Sequence, residues 1–273
     1  MKGYVSTSWG QLHYRAAGLE HSQAQLSLVM LHESPRSSMV YTPVLEELGR
    51  TLPVYAFDTP GFGMSDSAPD DAPIADYARI FLEAIDALGI GRFVILGMKT
   101  GSYLGSHLIE AAGPKRVGAA ILYAMAGPDA DRQERYARTW APDLDIPEDG
   151  SLFTRLWAKN VGIYGTASPR DLSMCVAEAV INIDRYNSIY PATFRSHDRT
   201  WRLITEYSKL IPITVLVPDG AQMTPEEQVE LVSIPGTREV LMPAKGQFAS
   251  QCPGPFAAAI REAISAVSAA DVS

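Results

Sequence analysis

Cysteine is scarce in this chain: Cys175 and Cys252 are the only two in 273 residues. They lie far apart and match neither a metal-ligand nor a redox spacing, so they read as reduced, buried small hydrophobes suited to a reducing compartment. Basic runs are absent, and the formal charge of −8 argues against a nucleic-acid or anionic-membrane partner. No segment approaches the ~20 consecutive apolar residues that span a bilayer. The first residues, Met1 to Ser6, lack the apolar core of a signal peptide, so a cytoplasmic location is expected. No internal repeat is visible, and the Ala/Ser-rich tail after Ser265 is expected to fray.

What is present is a chain that is 47% hydrophobic and long enough for one large α/β domain with an insertion. The most informative stretch is Phe93 to Gly105. Four apolar residues ending in Gly97 read as a buried parallel strand. A Gly-x-Lys99-x-Gly turn follows, and Ser102 to Ala112 then reads as a helix. Strand, tight glycine turn and helix make a nucleophile elbow, which holds its middle residue out at the top of a sheet. Here that residue is Lys99. A dinucleotide fold is the alternative for a glycine-rich strand-to-helix turn, but the glycine spacing is wrong and the strand ending at Tyr123 presents no acid for a ribose.

Around this stretch the chain alternates. Tyr4 to Ser6 and Leu12 to Ala16 read as a hairpin, and Leu26 to Leu31, Val54 to Phe57 and Ala119 to Tyr123 as strands. Met39 to Leu48 and Ile74 to Leu88 read as helices, the latter with Ile74, Ala78, Phe81, Ile85 and Leu88 on one face. Alternation of this kind implies a parallel sheet covered on both faces. It stops near Gly127. Residues 128–210 are helical, polar and aromatic, and read as a helical cap inserted between two parts of a core, 1–127 and 211–273. The core resumes with a strand at Ile213 to Val217, a helix from Pro225 to Leu231, a strand at Glu239 to Met242 and a helix from Pro255 to Val267.

With these elements in order, the chain resembles the α/β-hydrolase superfamily, and within it the lidded members of the epoxide-hydrolase and C–C-hydrolase kind. Leu31-His32-Glu33-Ser34-Pro35 resembles the family's oxyanion loop, and Asp58-Thr59-Pro60-Gly61-Phe62-Gly63-Met64-Ser65 is similar to its Asp-x-Pro-Gly-x-Gly-x-Ser signature. The stretch from Leu216 to Pro225 resembles the acid-bearing loop, and Met242 to Phe248 the histidine-bearing loop. The resemblance implies an α/β fold with a mostly parallel, twisted, eight-stranded sheet flanked by helices, the cap entering after the sixth strand. It also places Lys99 at the nucleophile, Ala221 at the acid and Gln247 at the histidine. All three triad positions then carry the wrong chemistry: a serine needs a base to take its proton, and an amide side chain shuttles none.

Lys99 carries three readings. As a neutral amine it forms a Schiff base; as an ammonium it stabilises an oxyanion on a ligand; or it merely fills a dead elbow, paired with Glu33. A carboxylate at Glu33 repels an ester's developing oxyanion, and reads as the counter-ion of Lys99 ahead of a general base. The backbone N–H groups of Ser34 and Thr100 are expected to survive as an oxyanion hole. Substrate-binding candidates are His32, Met98, Trp140, Trp157, Tyr186, Tyr190 and Asp219, although Asp219 also fits a helix-capping role.

The function expected from these residues is non-hydrolytic chemistry, namely cyclisation, rearrangement, elimination or decarboxylation, on a small hydrophobic carbonyl compound. The alternatives are a pseudo-hydrolase that binds a hydrophobic ligand or a partner, and a hydrolase with a rebuilt site. No metal or other cofactor is expected, the oligomer is expected to be a monomer or homodimer, and neither nucleic acid nor membrane is an expected partner.

Overall fold

The computed structural model describes residues 1–21, 24–165 and 167–270. Its strands are β1 (Lys2–Thr7), β2 (Gly10–Ala17), β3 (Ser27–Leu31), β4 (Val54–Phe57), β5 (Phe93–Gly97), β6 (Val117–Tyr123), β7 (Ile213–Pro218) and β8 (Arg238–Met242). They form one sheet in the order β1-β2-β4-β3-β5-β6-β7-β8. The pairs β1–β2 and β2–β4 are antiparallel and the others parallel. Leu31 lies opposite both Phe57 and Gly97, and Gly97 opposite Leu122. The C-terminal ends of the central strands therefore stop at one edge, where open α/β sheets bind ligands.

The helices are α1 (Thr42–Leu48), α2 (Ile74–Ala87), α3 (Thr100–Ala112), α4 (Ala130–Thr139), α5 (Ser151–Tyr164), α6 (Pro169–Ile181), α7 (Tyr190–Arg195), α8 (His197–Tyr207), α9 (Pro225–Glu230), α10 (Phe248–Gln251) and α11 (Pro253–Ala270). Strand residues alternate between the two sheet faces. Val29, Leu31, Phe93 and Ile95 pack with Phe81, Ile85, Leu104 and Leu108 of α2 and α3. Leu28, Met30, Val94 and Leu96 pack on the other side with Leu45 of α1 and with Phe256 and Ile260 of α11. Strands buried on both faces explain the unbroken apolar runs in the sequence.

Between β6 and β7 the chain runs through α4 to α8, with their own small core of Leu152, Leu156, Ala179 and Tyr186. Three boundaries differ from the sequence expectation. The expected helix from Met39 is a 3-10 turn at Ser38–Tyr41, and α1 starts only at Thr42, with Pro43 in its first turn. The elbow helix begins at Thr100, two residues early, because the turn takes only Met98 and Lys99. The C-terminal helix runs through Ala270 instead of fraying from Ser265, since Ala263 and Val267 bury on the sheet. Residues 271–273 lie outside the described residues.

Candidate functional site

The elbow is built by steric necessity. A Cβ at Gly97 would stand 2.3 Å from the Gly101 carbonyl oxygen, and one at Gly101 2.1 Å from that of Leu31. Only glycine fits either place, so β5 turns into α3 in the tightest available path. Lys99 takes φ 48°, ψ −110°. A non-glycine residue held there costs on the order of 1–3 kcal/mol, and the surroundings enforce it. Met98 N–H donates to the Leu31 carbonyl at 3.0 Å, and Ser102 Oγ donates to the Gly97 carbonyl at 2.8 Å while accepting from Tyr123 N–H at 2.9 Å.

The Lys99 side chain does not turn into solvent. Its Nζ lies 3.0 Å from Glu33 Oε2 and 4.4 Å from the centre of the Tyr164 ring, over Gly246, where a Cβ would come within 3.0 Å of it. Glu33 has a side chain only 5% exposed and sits behind the ammonium, in a small cavity shared with Met98 and Gln247. Tyr164 Oη donates to its other oxygen at 3.0 Å. Burial alone would push the Glu33 carboxyl up, yet Lys99 and Arg36 beside it bring it below the ordinary carboxylate value.

The charge alternation continues into the helical insertion. Arg36 Nη1 lies 4.0 Å from Glu33 Oε1, and Arg36 Nε donates to Glu178 Oε2 of α6. Ser37 Oγ donates to the other Glu178 oxygen. Burial would lower the Arg36 guanidinium, but Glu178 against it raises it instead. Lys99, Glu33, Arg36 and Glu178 thus form a line of alternating charges in which the last three are almost wholly buried. Arg36 Nη1 also donates to Cys175 Sγ at 2.9 Å, as does Gln247 Nε2 at 3.3 Å, and burial pushes the Cys175 thiol up to about 11.

In front of Lys99 a cavity of about 630 Å³ opens between the sheet edge and helices α4 to α7. Tyr103, Tyr123, Tyr136, Trp140, Tyr164 and Phe194 supply much of its wall, with Tyr186 and Tyr190 beyond them. Ser34 and Thr100 both border it, and the backbone N–H of neither has an acceptor among the described residues. Tyr190 Oη donates to the Ser34 carbonyl at 2.6 Å, and Asn182 Nδ2 to that of Pro35 at 3.0 Å, which fixes the loop from the other side. Also on the wall, Lys245 and Glu227 form a second ion pair at 2.7 Å.

Of the residues singled out by sequence, Lys99, Ser34, Thr100, Trp140, Tyr186 and Tyr190 border this cavity. Four substrate-binding candidates do not. His32 is fully buried behind its loop, with Nδ1 on the Glu33 carbonyl at 2.8 Å and Nε2 accepting from Thr59 N–H at 2.9 Å; burial lowers its pKa. Met98 points into the opposite sheet layer with Leu96 and Phe248. Trp157 is 37% exposed and does not border the cavity, to which α5 contributes Lys159, Ile163 and Tyr164 from its C-terminal half. Asp219 is exposed and accepts from Ala221 N–H at 3.2 Å, capping the 3-10 turn Gly220–Gln222, whereas the helix α9 that it was expected to cap is capped by Thr224. Ala221 itself is exposed, and Gln247 reaches the small cavity behind Glu33.

No histidine reaches the cavity wall. His13 pairs with Asp58 at 2.8 Å, but on β2 and the strand end of β4, where Asp58 also accepts from Ser38 and Met64 N–H. His197 meets Tyr103 Oη at 2.8 Å, and His107 meets Thr200 at 3.2 Å. Among the described residues no group of three or more His, Cys, Asp or Glu is placed to hold a metal ion, and no helix is long and apolar enough to cross a membrane. Sequence reasoning missed Arg36, Glu178, Cys175 and the Lys245–Glu227 pair, and it counted Tyr164 among the cap aromatics without its contact to Lys99 and Glu33. Only Arg36 carried a signal, being a second charge in the loop that holds Glu33.

The family model for the alpha/beta hydrolase fold matches residues 27–211, more than half of the chain. The chain belongs to the α/β-hydrolase fold family. Among its curated relatives, the 1-acylglycerol-3-phosphate O-acyltransferase ABHD5 of Sus scrofa is 29% identical over 147 residues, covering 51% of this chain and 42% of that protein. An uncharacterized carboxylesterase, nap, of Bacillus subtilis (strain 168) is 31% identical over 125 residues, covering 45% and 40%. The chain thus spans less than half the length of these relatives. A thermophilic esterase from Thermogutta terrifontis superposes with a TM-score of 0.70 at 20% identity, over 98% of this chain and 99% of the esterase. At that identity the superposition speaks for the fold alone.

Proposed function

We propose that this α/β-hydrolase-fold protein is a non-hydrolytic enzyme acting on a small, largely apolar carbonyl compound, and that Lys99 works as a fixed cation. The observation that carries this reading is the Lys99–Glu33 pair at 3.0 Å on the elbow. An ammonium paired in this way has no lone pair with which to attack a carbonyl, so the Schiff-base route is disfavoured. It does retain N–H donors and a positive charge. Placed beside the uncommitted amides of Ser34 and Thr100, it stabilises an enolate or phenolate oxygen as charge develops there.

Glu33 serves as counter-ion, being ionised, shielded behind Lys99 and without a path to the cavity. The aromatic wall orients the ligand and excludes water, which raises the worth of each charge interaction. Ester hydrolysis has no support here, since nothing at the elbow can form and then release an acyl intermediate. Elimination, decarboxylation, rearrangement and cyclisation all require what is present, namely orientation and a sink for negative charge.

The test uses 4-nitrophenol as an oxyanion probe, because its phenolate absorbs visible light and the neutral phenol does not. Below the probe's own pKa, the wild-type protein is expected to bind it as phenolate, and Lys99→Met to abolish the colour. 4-Nitrophenyl butyrate is expected to go unhydrolysed. Binding of the neutral phenol only, or esterase activity that Lys99→Met removes, would overturn the reading.

A further inference from the structure

Besides Lys99 and Lys159, which donates to Tyr186 Oη at 2.8 Å, the cavity is bordered by a third lysine whose position nothing above has used. Lys245 lies on the loop after β8 and borders the cavity, with a side chain only 14% exposed. Its one partner among the described residues is Glu227 Oε2 at 2.7 Å. An ammonium carries three donors. Two are therefore left without a protein acceptor among the described residues, on a half-buried side chain that borders the cavity. Glu227, by contrast, is already held: it caps α9 by accepting from Thr224 N–H at 2.9 Å, and its side chain is 38% exposed.

Lys99 and Lys245 border the same cavity. Lys99 Nζ would be 3.0 Å from a Cβ on Gly246, the residue next to Lys245. With neighbouring Cα atoms ~3.8 Å apart, Lys99 Nζ lies within about 8 Å of the Lys245 Cα. Glu227 also feels the charge of Lys99, which with Lys245 keeps its carboxyl low against the effect of burial. One small molecule can span both ammonium groups.

We infer that the cavity takes a ligand with two oxygen acceptors, one set at Lys99 with the Ser34 and Thr100 amides, the other on the free donors of Lys245. The ligand class is then a dioxygenated carbonyl compound, a 1,3-diketone or an oxo acid, with an aromatic or apolar body against Tyr136, Trp140 and Phe194. This rests on the oxyanion reading of Lys99 and adds the second contact.

The experiment is calorimetric titration of three probes: acetophenone with one oxygen, benzoylacetone with two carbonyls, and 3-benzoylpropionate with a carbonyl and a carboxylate. Wild-type protein is expected to bind one of the two dioxygenated probes at least about tenfold more tightly than acetophenone, as befits a hydrogen bond to a charged group. Which probe gains identifies the second oxygen as carbonyl or carboxylate. Lys245→Met is expected to erase that advantage, read as the ratio of the dioxygenated probe to acetophenone on the same variant. Glu227→Gln, which keeps Lys245 but removes its counter-charge, is expected to enlarge the advantage. No advantage in the wild type, or one that Lys245→Met retains, or one that Glu227→Gln fails to enlarge, would overturn the inference. Lys99→Met tests the underlying reading separately: it is expected to weaken all three probes alike and to leave their ratio intact.

Discussion

Removing Glu178 offers the strongest test of how the helical insertion is fastened to the core. The Arg36 and Glu178 side chains are 5% and 3% exposed, and among the described residues Arg36 has only Glu33 at 4.0 Å as a further charged partner. Glu178→Ala leaves a guanidinium buried and largely uncompensated, and strands Ser37 Oγ as well. Breaking one partner of a buried pair costs about 3–5 kcal/mol. Unfolding entropy near 2.1 cal/mol/K per residue, taken over 273 residues, turns that into a fall in Tm of roughly 5–9 °C. Differential scanning calorimetry reads this directly. The double variant Arg36→Met with Glu178→Met replaces the pair by apolar groups, and is expected to recover all but about 1 kcal/mol, because such replacement is often neutral or better. A Glu178→Ala protein that melts within about 2 °C of wild type would refute the buried pairing. So would a double variant as unstable as the single one.

Other outcomes follow from single contacts. The Asp58 carboxyl, which burial would raise, is brought down to about 2 by its hydrogen bond to His13, the nearby His32 and the Ser38 and Met64 amides. Its folded value lies below the unfolded one, so its contribution of roughly 2 kcal/mol is whole above about pH 4 and is lost as the pH falls toward 2. Urea unfolding at stepped pH should show that loss, and Asp58→Asn should remove it. Gly246→Ala combines a φ of +98° with a Cβ 3.0 Å from Lys99 Nζ. It should cost about 1 kcal/mol or more and weaken the phenolate signal of bound 4-nitrophenol. On the proposed reading, Lys99→Ser should yield no esterase activity, measured on 4-nitrophenyl butyrate, because no histidine among the described residues borders the cavity to take the hydroxyl proton.

The fold was legible because its signals are local. A run such as Phe93-Val94-Ile95-Leu96 can only be buried on both faces, and Gly97 and Gly101 declare a turn whatever stands between them. Boundaries slipped where a single residue decides them, as when Pro43 delays α1 or Val267 carries α11 onward. The site was legible only in part. Lys99, Ser34 and Thr100 are placed by the sheet itself, so their loop positions sufficed. His32 and Met98 sit on the same loops yet face away, because direction alternates residue by residue and one step decides which side of the sheet is reached. Trp157 and Tyr164 lie seven residues apart on nearly one face of α5, yet only Tyr164, at the end of the helix, meets Lys99, while Trp157 two turns back is 37% exposed. Nothing in a single sequence says how far along such a helix the cavity reaches. Cys175 and Glu178 met the core only through the packing of α6, over a separation of more than a hundred residues.

The charges at the site depend on one another in a fixed order. A cation on the elbow, beneath aromatic rings, needs a counter-charge within reach, and Glu33 supplies it from the loop where a carboxylate would otherwise oppose an oxyanion. Glu33 is itself too buried to stand with one partner, so Tyr164 and Arg36 close around it. Arg36 in turn requires Glu178, which the core does not contain. The elbow cation is thus tied, charge by charge, to a helix of the insertion. Stepwise conversion between an acyl-transfer site and this one would pass through a stranded buried charge at each stage. That linkage gives a physical reason to read Lys99, Glu33, Arg36 and Glu178 as one unit, and it argues against Lys99 being an isolated substitution in an otherwise hydrolytic pocket.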